Sequence, residues 1–366
     1  MNKFYFDKLV QEINKEGLDA MLICPSQELT FFAGFSPEMC ERFQGLFVKA
    51  DGKAFYICNL LYKGEVENAF KDDFPVYTWF DNDVMTERVT EILKEQGLCG
   101  KKIGVNSSAP AFNILDIAEK ADIKFVSGKL LLEMVRIHKT HEELENMRKA
   151  AQIADNALNA AIPFIKAGMT ELEVSQFLHK HMEAEGGYGC WSIVGSGPNS
   201  SYPHYCKYER TIQKGDPIVI DFGCVYNGLC SDTTRTVFVG HVTERQKAIW
   251  SYVNEANFAA EKAAKEGAIA ADIDKSARDV LAKYGYEETL TTRLGHGIGH
   301  MIHEQPEMKK SNKIALEKGM CFSIEPGIYL AGDIGVRIED IVCINEKGET
   351  EVLNKTSREL IIVDKD

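Results

Sequence analysis

Positive charge is scarce in this sequence: 42 Lys and Arg against 55 Asp and Glu give a net charge of -13 over 366 residues. A phosphate-backbone partner needs a basic footprint, so no nucleic-acid function is expected. Long apolar runs are missing too, and none reaches the ~20 residues that span a bilayer; no membrane partner is expected. The opening "MNKFYFDKLVQEI" lacks the apolar core and cleavage site of a leader and reads as the start of a helix. The 10 cysteines form no CxxC pair and read as reduced thiols of a cytoplasmic protein. A phosphate loop is also lacking: "GSGPNS" has the glycines, but no Lys-Ser/Thr follows. No histidine precedes His138, which leaves the first third without a catalytic constellation.

What is present is an ordinary globular composition, 45% hydrophobic and 27% charged, in a chain long enough for two domains. The first third alternates helical spacing ("FDKLVQEINKEG", "DVMTERVTEILKEQG") with strand-like runs ("DAMLIC", "GLFVKA", "AFYIC", "KKIGV"), which predicts an α/β domain over residues 1–133. From residue 134 to 366 the pattern changes. Capping boxes open helices at Thr140-x-x-Glu143 and Thr170-x-x-Glu173, and a third opens at Thr243-x-x-Gln246. Two helices followed by a β-rich stretch thus occur twice, which predicts two related αβ halves, each offering an equivalent hairpin.

The first hairpin is legible in "DFGCVYNGLCSDTTRT". Asn227-Gly228 is a strong two-residue turn signal, because both positions take φ > 0. That turn sets Asp221 opposite Thr234 and Gly223 opposite Asp232, so all four share one face. No Lys or Arg lies between the two aspartates, and Gly223 is expected to leave open space beside them. In "FSIEPGIYLAGDIGVRIEDIV", folding about Gly332 sets Glu325 opposite Glu339. If the hairpins pack side by side, four carboxylates converge. Shared protons or solvent contact would tolerate such a cluster, and so would divalent metal. "GHGIGHMIHEQP" decides for metal by adding His296, His300 and His303. Carboxylates with an imidazole and no thiolate suit a pair of hard or borderline cations and are too acidic for one structural zinc.

At these residues the sequence resembles the creatinase/prolidase/aminopeptidase P superfamily, the "pita-bread" metallopeptidases. The motifs are "GSGPNSSYPH", "DFGCVYNGLCSDTTRT", "GHGIGHMIHEQP", "IEPGIY" and "GVRIED", and "GLDAMLICPSQELTFFAGF" resembles the creatinase-type N-terminal domain. The resemblance implies an α+β protein: a creatinase-like α/β domain, then a pita-bread catalytic domain of two pseudo-symmetric halves. It implies that Asp221 chelates one metal ion, that His296 and Glu325 hold a second, and that Asp232 and Glu339 bridge both. Manganese is the expected ion, with cobalt, zinc or iron as substitutes. A hydroxide between the ions would attack the carbonyl before proline, with Glu325 handling its proton. His204 and His303 would bind and polarise the substrate, and Arg337 would brace the site or contact substrate. His300 is the tempting wrong ligand. Cys230 shares the metal-facing side of its hairpin but would spoil an oxygen-rich site. His179 and His181 are expected to be solvated, and His138 and His141 to lack partners.

The expected activity is hydrolysis of Xaa-Pro dipeptides, with aminopeptidase P action on longer peptides as the alternative. A metal-free amidinohydrolase and a non-catalytic binding protein are the remaining classes, and the intact ligand set weighs against both. The expected substrate is a short peptide with proline second, and the expected assembly is a homodimer.

Overall fold

The structure, a computed structural model, describes residues 2–71 and 73–365. The chain divides into two compact units, Met1–Arg136 and Ile137–Asp366. The first unit begins with α1 (Lys3–Lys15), β1 (Ala20–Ile23), α2 (Gln27–Ala33), β2 (Gly45–Lys49), β3 (Ala54–Asn59) and α3 (Lys63–Phe70). It continues with β4 (Val76–Trp79), α4 (Met85–Glu95), β5 (Lys102–Val105), α5 (Ala111–Ala121), β6 (Lys124–Ser127) and α6 (Lys129–Val135). One mixed sheet runs in the order β4-β3-β2-β1-β5-β6. Strand alternation buries both of its faces. Met21 and Ile23 of β1 pack with α1, α2, α3 and α6. Ala20 and Leu22 turn to the other side, against α4 and α5.

In the second unit α7 (His141–Ala161), α8 (Glu171–Ala184), β7 (Tyr188–Ser196), β8 (Pro217–Tyr226), β9 (Leu229–Cys230) and β10 (Thr233–Val239) form one half. The other half has α9 (Glu244–Ala263), α10 (Ala270–Lys283), β11 (Gly295–Gly297), β12 (Glu304–Met308) and β13 (Cys321–Ile324). It is completed by β14 (Gly327–Leu330), β15 (Ile334–Arg337), β16 (Asp340–Ile344) and β17 (Thr350–Val352). β18 (Ile361–Val363) returns to pair parallel with β10. All three expected capping boxes form, with side chain and backbone satisfied reciprocally. Each half carries a five-stranded sheet, β18-β10-β8-β7 with β9 on β8, and β12-β11-β13-β16-β17. Among the described residues no helix is long and apolar enough to cross a membrane.

Both hairpins have the expected register. Asn227 and Gly228 take φ of 47° and 80°, and Asp221 lies opposite Thr234. In the second half Ile324 pairs with Asp340 and Gly327 with Arg337, so Glu325 and Glu339 face each other where the ladder is interrupted. The hairpins do lie side by side: Glu339 N donates to Thr234 O at 3.0 Å, and Arg337 N to Thr236 Oγ1 at 3.0 Å. One detail corrects the sequence reading. The space beside Gly223 is not open, because the Ser231 carbonyl fills it and would collide with any Cβ there.

Candidate active site

Asp221, Asp232, His296, Glu325, Glu339, His204, His303 and Arg337 all line one cavity of about 670 Å³ in the second unit. β8 presents Asp221, and the step from β9 to β10 presents Asp232. β11 carries His296, and the break between the β13/β16 and β14/β15 ladders exposes Glu325 and Glu339 to the same space. Ligand atoms of Asp232, His296 and Glu339 lie within 4.8 Å of one another. His296 Nε2 is 3.6 Å from Asp232 Oδ2 and 3.3 Å from Glu325 Oε1. Its Nδ1 faces Gly297 O at 3.1 Å. That contact assigns the ring proton to Nδ1 and leaves the Nε2 lone pair for the cluster.

The carboxylates are held in place by few donors. Thr234 Oγ1 donates to Glu339 Oε2 at 2.6 Å, and Ser323 Oγ to Glu325 Oε1 at 3.0 Å. The cation absent from the Asp221–Asp232 segment comes from β15: Arg337 Nη2 pairs with Asp221 Oδ2. Its other donors go to Thr234 Oγ1, Pro203 O and Tyr329 OH, at 2.9, 3.2 and 2.9 Å. Asp221 Oδ1, Asp232 Oδ1 and Glu339 Oε1 remain buried with no hydrogen-bond partner. Burial, and then the neighbouring carboxylates, push Asp232 and Glu339 far above the usual carboxylate range. Burial raises Glu325 to about 7 and lowers His296 to about 4. Protein groups thus under-compensate the cluster. Orphaned oxygens beside one neutral imidazole are what a divalent cation would satisfy, so the donor set fits.

Other candidates fall away from the cavity. His300 turns outward, its Nε2 2.8 Å from Glu143 Oε1. Cys230 is buried among Leu144, Met147 and Ile298, and burial pushes its thiol up to about 12. Two expectations about histidines are corrected. His179 and His181 are not simply solvated: His179 Nε2 meets Ser192 Oγ at 3.1 Å, and His181 stacks on Phe177. Nor does His138 lack a partner, since its Nε2 lies 2.9 Å from Glu317 Oε2. The sequence reading also passed over Arg293 and Trp191, which line the cavity. A lone arginine three residues before a ligand-type histidine carries no spacing signal that could have singled it out.

Comparison with known proteins agrees with this architecture. The metallopeptidase family M24 matches residues 145–346, and the Creatinase/Prolidase N-terminal domain matches residues 6–138. The chain is 34% identical to an Xaa-Pro dipeptidase from Pyrococcus horikoshii, over 97% of both chains. Among solved structures, a recombinant prolidase from Thermococcus sibiricus superposes with a TM-score of 0.90 at 32% identity, covering 99% of this chain and 98% of that one. An X-Pro aminopeptidase from Thermotoga maritima gives 0.82 at 30% identity, covering 98% and 99%. Carboxylates from two paired hairpins, a strand that sets His296 beside them and a creatinase-type first domain therefore have one common source: the chain belongs to metallopeptidase family M24, in its prolidase-like, pita-bread branch.

Proposed function

We propose that the protein is an Xaa-Pro dipeptidase that holds two divalent ions between Asp221, Asp232, His296, Glu325 and Glu339, with residues 1–133 as accessory domain and 134–366 as catalytic domain. The observation that carries the reading is the trio of buried, unpartnered oxygens on Asp221, Asp232 and Glu339. Four carboxylates carry more negative charge than one divalent ion neutralises, and oxygen donors favour manganese. Asp221 would chelate one ion, His296 and Glu325 the other, and Asp232 and Glu339 both. When bound, such ions polarise a carbonyl and make water nucleophilic at neutral pH.

The chain's own groups do the rest. Glu325 reaches the cavity beside His296 and is placed to hold the proton released by the attacking water. It can then pass that proton to the prolyl nitrogen as the bond breaks. His204 and His303 face the same cavity. From there they orient the substrate and donate to the oxyanion of the tetrahedral intermediate. Arg337 is a positioning residue: buried and fully engaged, it fixes Asp221 and Thr234. Trp191, Ile193 and Ile302 add apolar lining that helps exclude water. Arg293 Nη1 pairs with Glu307 at 3.0 Å, and its remaining donors have no partner among the described residues. They suit the free carboxylate of a dipeptide's proline, which supports dipeptidase action over aminopeptidase P. We further expect a homodimer on symmetry grounds, and a cytoplasmic location from the 10 unpaired thiols.

The test compares kcat/KM for Ala-Pro, Ala-Pro amide and Ala-Pro-Ala with manganese-loaded protein. An amide or a longer peptide forfeits the charge-assisted bond to Arg293, worth about 1.5–3 kcal/mol, so the dipeptide should win by at least about tenfold. Equal or faster cleavage of the tripeptide would make the protein an aminopeptidase P.

A further inference from the structure

His303 sits in the irregular stretch 298–303, between β11 and β12. Its ring stands 4.4 Å from that of His296 at an interplanar angle of 88°. No hydrogen bond of its own fixes it among the described residues, so the backbone of this loop must set its place. Cys230 N donates to Gly299 O at 2.7 Å and Ile298 N to Cys321 O at 3.1 Å; beyond these backbone bonds, two side-chain ties reach the loop from the segment that opens α7. Glu304, the next residue, points away from the cavity into the core. There its Oε2 meets Lys139 Nζ at 2.8 Å, with both side chains fully buried. Its Oε1 accepts from Met301 N at 2.9 Å, which closes the loop on itself. The second tie is His300 Nε2 to Glu143 Oε1 at 2.8 Å. The other oxygen of Glu143 caps Thr140 N at 2.7 Å.

The loop is shaped around the lysine. A Cβ on Gly299 would collide with Lys139 Cε and approach its Nζ. Lys139 is itself anchored, its N donating to Gly319 O at 2.8 Å. A fully buried ion pair is an inefficient source of stability, because desolvation offsets most of the attraction and apolar replacements are often neutral or better. Its directional geometry does fix a backbone. We propose that Lys139 and Glu143 are positioning residues for His303, acting through Glu304 and His300. The inference rests on the reading of His303 as a substrate-facing group.

The test is a double-mutant cycle on turnover. Lys139→Met with Glu304→Leu removes both charges together, so neither is left buried alone. This variant should fold and keep wild-type metal content. Its kcat for Ala-Pro should fall at least about tenfold, the scale of a small misplacement of a catalytic group, with KM changing less. In a His303→Ala background, assayed at high enzyme concentration, the same pair of substitutions should change kcat less than about twofold, because the effect acts through the missing ring. A folded, metal-loaded double variant with wild-type kcat would overturn the inference alone. So would an undiminished fall in the His303→Ala background, which would mean a general structural role. Wild-type turnover in His303→Ala itself would overturn the reading of the site, and the inference with it. If circular dichroism shows that the double variant does not fold, His300→Leu, at the outer tie, is put through the same comparison with the same criteria.

Discussion

Replacing Arg337 with methionine removes the one cation in direct contact with the carboxylate cluster among the described residues. In the wild type its guanidinium serves Thr234 Oγ1, Tyr329 OH, Pro203 O and Asp221 Oδ2. Arg337 is 3% exposed and Asp221 6%, so water cannot replace what is lost. Asp221 already has one orphaned oxygen; without Arg337 it would have two. Breaking a buried pair from one side costs about 3–5 kcal/mol. For a unit of this size each kcal/mol corresponds to about 2–4 °C, so the melting point of chelator-treated protein should fall by about 6–20 °C. Arg337→Met with Asp221→Asn leaves no unpaired charge and should recover much of the loss. Differential scanning fluorimetry on the wild type and both variants measures this. A shift below about 2 °C for the single variant, or no recovery in the double, would refute the assignment of Arg337 as the electrostatic brace of Asp221.

Three other outcomes are expected. Asp232→Asn should lose metal and activity together, because a shared ligand gives up its charge while its neighbours stay crowded; retention of two ions per chain would contradict that role. His303→Ala should keep its metal while turnover falls by about 10²–10⁴, read by elemental analysis beside a proline-release assay. Metal loading at pH 7 should release protons, because Asp232 and Glu339 are pushed far above the carboxylate range and Glu325 to about 7 in the metal-free site. Raised values mean protons are held until an ion displaces them, so affinity should climb as pH rises through neutrality; calorimetry in buffers of different ionisation enthalpy would detect it, and loading without proton release would contradict it.

The parts of the fold set by local rules were legible in the sequence. Asn227-Gly228 fixed one register and Gly332 the other, and the capping boxes at Thr140, Thr170 and Thr243 marked helix starts. Two hairpins of known register then put the carboxylates on facing edges before any packing was known. Edge strands were harder: β4 and β6 close the two edges of the first sheet and are mostly half-buried or exposed, without the continuous buried run of β1. What no spacing rule reaches is contact between distant segments. Arg337 supplies the cation that the Asp221–Asp232 segment lacks, and a backbone carbonyl from Ser231 takes the space that Gly223 seemed to leave. His300 is spaced like a ligand, but Glu143 lies 157 residues earlier in the chain and draws it outward. Arg293 becomes visible only once the cavity is closed around it.

The most direct measurement strips the protein with chelator, titrates in Mn²⁺, and follows bound ion and Ala-Pro hydrolysis in the same samples. Activity should be negligible at the start and rise as the sites fill, to a plateau at two ions per chain, with Asp232→Asn showing neither binding nor turnover. Full hydrolysis by the stripped protein, or undiminished loading of Asp232→Asn, would contradict a metal-dependent site built from these carboxylates.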